Sequence, residues 1–394
     1  MKFSANRQAM MDAVKTVLKA VGNNKDIPQI SGILVEANAD AGILTLTCTD
    51  IRNQIQRILR NEHIEESGSL IIPPLIFDIL RLLDGESVDF YDDGRTIEIT
   101  CGGTHYNLPY LPSKGFPKVQ MPFPEDTISV KGINSLIRQT VFATEKNTSS
   151  PDQLALQHVK LSFSNGITKA EATDGKLMAI SKSPHCADGN LELVLHESAL
   201  SIIGSIVKPD EELYVGVADK YAVFMNENMI FSTILFAGEF TNSDMFLSRI
   251  EPIYRATTDG KLLYGLVDSI TSVIRNGDDP CINLNIGSNG IFAYVETEAG
   301  KSQNKIPASD TVPTPENGFN YFPKLLLNCL RHISGPTTIS LNNQGFMILN
   351  GNQSQYVICP RSPHAIKRKS DKTEKSKKER KAKKETKVSS DKAA

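Results

Sequence analysis

The feature that most restricts what this chain can fold into is a recurring order of elements. Three passes of about 115 to 125 residues each run strand, helix, strands, and then strand, helix, strands again. In the first pass an opening strand at Lys2 to Ser4 leads into an amphipathic helix near Arg7 to Val21, with Ala9, Ala13, Val14, Val17, Leu18 and Val21 at helical spacing. Two alternating strands follow, ISGILVEA and GILTLTCTD, joined by a polar turn containing Gly42. The second half repeats that logic: GSLIIP as a strand, a helix opened by Pro74 and closed by Gly85, then SVDFYDD, TIEITCG and THYNLPYL as a meander.

The second pass begins at TISVKGINSLIRQTVFAT and the third near GKLLYGLVDSITSVIRNG, with the same succession after each. Helices apolar on one stripe only, beside strands that alternate, predict two-layer units with helices on one face of antiparallel sheet, an α+β class. The expected domains are 1–124, 125–252 and 253–363, followed by a tail at 364–394.

Composition narrows the class. A length of 394 residues argues against a single domain, and 40% hydrophobic with 22% charged residues is an ordinary globular balance. The N-terminal stretch is interrupted by Arg7, Asp12, Lys15 and Lys19, so it lacks the apolar core of a signal peptide, and no segment reaches the roughly 18 apolar residues of a membrane-spanning helix. The six cysteines are dispersed, without a CxxC pair or a histidine at zinc-ligand spacing, and read as reduced, mostly buried residues of a cytoplasmic protein with no metal.

The net charge of −2 hides an asymmetry. Residues 367–394 hold 13 Lys and Arg against 5 Asp and Glu, leaving 30 basic and 40 acidic residues in the body. With almost no apolar side chains, the tail is expected to be disordered. Two roles stay open for it, a solvated extension or auxiliary phosphate binding.

The opening MKF, the IPQISGILVE and LTLTCTD strands, Leu111-Pro112-Ser113-Lys114-Gly115-Phe116-Pro117, the turn Ala172-Thr173-Asp174-Gly175 and the closing Tyr356-Val357-Ile358-Cys359-Pro360 occur in an order and spacing that resembles the bacterial DNA polymerase III beta subunit, the sliding clamp family, over residues 1 to 363. The resemblance implies a head-to-tail dimeric ring with helices inside and sheet outside. Geometry favours the dimer independently. Six helices about 10 Å apart leave a hole on the order of 10 Å, whereas twelve leave roughly 28 Å, enough for B-form DNA.

Sliding needs diffuse attraction to phosphates without base readout. Candidate DNA-facing cations are Lys15, Lys19, Lys25, Arg81, Arg138, Lys146, Arg275, Lys324 and Arg331, which could equally be ordinary solvated helix faces. An acidic body would leave the lumen as the favourable path for DNA. The resemblance also implies a pocket for short apolar peptides of the DNA polymerase III alpha subunit, the clamp loader and other clamp-binding proteins. Its walls match Leu156, Thr173, Gly175, Lys176, Leu177 and Met178 on one side and Val357, Ile358, Cys359, Pro360 and Arg361 on the other, although strand residues such as Leu177, Met178 and Ile358 could simply pack a core.

Three features depart from the family pattern. Lys176 and Leu177 follow the turn where the family has His or Arg, extra residues separate Phe240-Thr241-Asn242-Ser243 from Glu251-Pro252, and the chain runs on past Pro360. An adaptor that binds replication proteins without encircling DNA is therefore the alternative. No GxSxG, P-loop, HExxH or paired-carboxylate pattern supports catalysis, and no cofactor is expected; His158, His185, His196 and His332 lie apart in the sequence.

Overall fold

The computed structural model describes residues 1–361 except 61, 120–122, 149, 165, 185–188 and 276–279, together with the backbone but not the side chain of residue 152. The Lys-rich tail, His185 and Cys186 fall outside the described residues. Seven helices occur among those described: α1 (Arg7–Val17), α2 (Ile76–Leu82), α3 (Ile133–Thr140), α4 (Glu197–Ile206), α5 (Ser243–Leu247), α6 (Gly260–Ile270) and α7 (Pro323–Leu330). Leaving aside the single turn of α5, they form three pairs, α1 with α2, α3 with α4 and α6 with α7, packed against each other and against antiparallel strands.

The recurrence extends below the level of elements. The first helix of each pair follows directly on a strand, Lys2–Asn6 before α1 and Tyr254–Asp259 before α6, or after a two-residue link in the case of Thr127–Val130 and α3. Each of these helices then tightens into one 3-10 turn, at Leu18–Ala20, Val141–Ala143 and Thr271–Val273, and leaves it through an extended residue, Val21, Thr144 or Ile274. Such a turn satisfies late carbonyls that the helix can no longer pair.

Helix ends differ from the sequence reading. The α-helical part of α1 stops at Val17, and its fully buried face is Met10, Ala13, Val14 and Val17, whereas Ala9, Leu18 and Val21 are half-buried. Burying such a stripe contributes on the order of 1.5–3 kcal/mol for each large side chain. Helix α2 is shorter than its flanking Pro74 and Gly85 suggested, because Leu83 is already extended. The Gly85 carbonyl instead accepts from Arg7 Nε at 2.7 Å while Arg7 Nη1 donates to the Leu80 carbonyl at 3.0 Å, so one side chain ties the start of α1 to the end of α2.

The chain divides into two compact units. The first comprises Met1–Thr173 with Ser181–Thr241, and the second Asp174–Ile180 with Asn242 onward. In the first unit a nine-stranded sheet joins two rounds of the repeat, because the strand Asn53–Arg60 pairs with the strand Met229–Ile234 in the register Arg57 to Met229. A five-stranded sheet ends on the strand Thr104–Pro109. The second unit holds the third round, including a four-stranded sheet that ends on the strand Gly300–Pro307.

Candidate functional site

Within the second unit the turn at Asp174 and Gly175 sets the first part of the site. Gly175 has φ of +82°, a left-handed conformation open to glycine without a Cβ penalty. The Asp174 carboxylate accepts from the backbone N–H of Lys176 at 2.8 Å and of Leu177 at 2.7 Å, closing the loop. The Lys176 carbonyl then accepts from the Cys359 N–H at 2.8 Å, which fastens the turn to the end of the strand Ser354–Ile358.

Alternation decides which side chains meet, since successive residues of a strand face opposite ways. Met178 and Ile180 share one face with Ile348 and Val357, themselves register partners, and with Ile250 they form a buried apolar cluster. Phe246, Leu247 and Phe346 pack on it and remain partly exposed. Leu177 and Ile358 alternate to the other face, the side on which α7 meets the strand Ser354–Ile358. Of the residues singled out from sequence, Met178 and Val357 are thus brought together, and Leu177 and Ile358 are core residues of the opposite face.

The rim is polar. Gly175 and Lys176 are exposed, and Cys359 and Pro360 are half-buried. Burial, and secondarily the charge of Asp174, push the Cys359 thiol above its ordinary pKa, which suits a packing residue better than a nucleophile. Arg361 turns away: its N–H donates to the Asn320 carbonyl at 2.7 Å, its Nη1 donates to the Pro280 carbonyl at 3.0 Å, and its guanidinium lies 4.7 Å from the Phe322 ring. Leu156 and Thr173 belong to the first unit, the former half-buried and the latter buried.

Sequence reasoning missed Ile180, Ile250, Ile348, Phe246 and Phe346. The alternation of Met178 with Ile180 was a usable signal; nothing in the sequence ties Ile250 to Ile348.

All nine candidate cations are exposed. Lys15, Arg81, Arg138 and Lys324 stand on α1, α2, α3 and α7, Lys19 on the 3-10 turn after α1, and Arg331 on the C-cap of α7. Lys25, Lys146 and Arg275 are not on helices; each lies in the segment after the 3-10 turn of its round. Arg81 faces Asp78 at 3.5 Å, an exposed i, i+3 pair worth little.

Two histidines far apart in the chain also meet. His158 and His196 are register partners, with ring centroids 5.2 Å apart, and Phe236 stacks on His158 at 4.2 Å. Burial first, and then the Arg52 charge, hold His196 down to about 4, and burial lowers His158 as well. His196 Nδ1 accepts from the Ser198 N–H at 3.2 Å and so caps α4. No group of three metal-ligating side chains occurs among the described residues.

Residues 1–120 match the family model described as DNA polymerase III beta subunit, N-terminal domain. The chain is 24% identical over 323 residues to the beta sliding clamp of Staphylococcus epidermidis, covering 79% of this chain and 84% of that one. It is 25% identical over 321 residues to the beta sliding clamp of Halalkalibacterium halodurans, covering 76% and 82% respectively. The N-terminal part of the chain thus matches the DNA polymerase III beta subunit model, and most of its length is similar to bacterial beta sliding clamps. Its fold agrees with that of solved sliding clamps. The DNA polymerase sliding clamp of Bacillus subtilis matches with a TM-score of 0.82 at 20% identity, over 92% of this chain and 99% of that one. The beta subunit of Streptococcus pyogenes matches with 0.82 at 21%, over 92% and 100%. The three helix pairs described above are accordingly those of the clamp fold.

Proposed function

We propose that this protein is a DNA sliding clamp, a processivity factor without catalytic activity of its own. Two copies close head to tail around duplex DNA, each contributing three clamp domains at 1–124, 125–252 and 253–363. The observation that carries the reading is the threefold recurrence of a helix pair with exposed lysines or arginines on or just after it, in a chain with the clamp fold. Long cationic side chains spaced along helices attract phosphates of any sequence, which is the attraction a sliding ring needs.

Ring closure needs complementary edges. The strands Thr104–Pro109 and Gly300–Pro307 each end a sheet among the described residues, and an unpaired edge of this length invites pairing with another chain. Antiparallel addition of one copy's first edge to the other copy's second would close the dimer. Partners, namely the DNA polymerase III alpha subunit, the clamp loader and other clamp-binding proteins, dock short apolar motifs on the cluster of Met178, Ile180, Ile250, Ile348 and Val357. The exposed residues Gly175 and Lys176 form the polar rim beside it. The basic tail adds a second, sequence-independent hold on phosphates.

Two measurements test this. Sedimentation at micromolar concentration should give twice the 43.3 kDa chain mass. After loading, the protein should stay on closed circular plasmid and be lost when the plasmid is linearised. A monomer that still captures replication proteins would replace the ring by an adaptor, and equal retention on circular and linear DNA would remove the encirclement altogether.

A further inference from the structure

The apolar cluster carries a cover that the chain itself supplies. Phe246 and Leu247, both from α5, pack on the five buried residues, and Phe246 meets Phe346 edge-on with ring centroids 6.2 Å apart at 73°. They form the outer layer, partly exposed, with Met245 beside them 56% exposed. Helix α5 is only five residues long, and its backbone bonds close locally. The Asn242 side chain caps the Met245 N–H at 3.0 Å, and the N–H groups of Phe246, Ser248, Arg249 and Ile250 donate to Asn242, Asp244, Phe246 and Leu247.

A single helical turn has little stability of its own, so this one is held by burial: of Ser243 and Ile250 at its two ends, and of Phe246 and Leu247 between them. Those two side chains, one aromatic and one aliphatic on adjacent residues, offer the cluster the chemistry a docked apolar peptide would offer.

We propose that α5 is a built-in occupant of the peptide site, which a partner's apolar motif must displace. The inference rests on the reading of this cluster as the peptide site. It makes apparent partner affinity the intrinsic affinity multiplied by the fraction of molecules in which α5 has lifted. Partners that present a larger or better-fitting aromatic and aliphatic pair than Phe246 and Leu247 are therefore favoured, and weak motifs are excluded.

The test uses the full chain and a labelled synthetic peptide of its own residues 241–249. The double variant Phe246→Ser with Leu247→Ser should bind this peptide at least about tenfold more tightly than the unaltered chain. Asn242→Ala, which loosens the turn without touching apolar surface, should tighten binding by a smaller factor. Circular dichroism confirms that each variant is folded. Equal or weaker peptide binding in both variants, or no binding to any form, overturns the proposal, since Phe246 and Leu247 would then be floor and not cover. Failure of the underlying site is read separately: a polymerase-derived tail peptide should lose binding in Met178→Asp, whatever α5 does.

Discussion

The nine candidate cations and the apolar cluster beside Val357 depend on different physics. Each of the nine cations is exposed and acts through a field that reaches roughly 8–10 Å in physiological salt, so no neighbour has to be placed to fractions of an ångström. The cluster is contact chemistry. Met178, Ile180, Ile250, Ile348 and Val357 come from four separate stretches of chain and are useful only if alternation and register put them on one face. A charged face therefore tolerates change one residue at a time, whereas the cluster fails as a unit.

The comparison can be broken most sharply by removing charge in bulk. A chain ending at residue 366 loses 13 basic and 5 acidic residues. If the tail holds phosphates, the full chain on linear duplex should lose roughly 10³ to 10⁵ in affinity between 50 and 200 mM salt. The shortened chain should show a slope smaller by up to about 7. Superimposable salt titrations would assign the tail no part in binding DNA.

Next in size is a single charge in the cluster. Val357→Asp places a carboxylate where the native side chain is 1% exposed, and should cost about 3–5 kcal/mol in urea unfolding along with all peptide binding. An unchanged midpoint would show that the cluster is open to water.

Changing Lys15, Lys19, Arg138 and Lys324 together to alanine should leave stability within about 0.5 kcal/mol per site. The slope of log affinity against log salt should fall by up to about 4. Lost stability with an unchanged slope would make these ordinary structural residues.

The smallest effect is set by pH. His196 has its pKa lowered from 6.5 to about 4 in the folded chain, chiefly by burial, so the unfolded chain binds the extra proton first as pH falls. Its contribution is complete above about 6.5 and is lost as pH drops toward 4. His196→Asn, which keeps a capping side chain, should flatten that decline in melting temperature.

Much of the fold was legible because it rests on local rules. Helical spacing of Ala13, Val14 and Val17, alternation in strands and glycine at turns such as Gly175 are properties of short windows, and the threefold order of elements follows from them. The exposed positions of the nine cations were legible for the same reason, since a charge on a helix flank has nowhere cheaper to be than water. Three of the nine nonetheless fall after a 3-10 turn and not on a helix, because where a helix tightens depends on its tertiary packing.

What only the tertiary structure decided is which distant residues share a face. Leu177 and Met178 are adjacent and equally apolar, yet register sends one toward the helix layer and the other into the cluster with Val357. His158 and His196 meet because two strands pair in one register and not the next, and α5 lies on the cluster through two side chains that no local pattern distinguishes. A one-residue shift in strand pairing would reverse the first two outcomes without changing any propensity, which is why most elements and their order were legible in the sequence while the fold chose the neighbours.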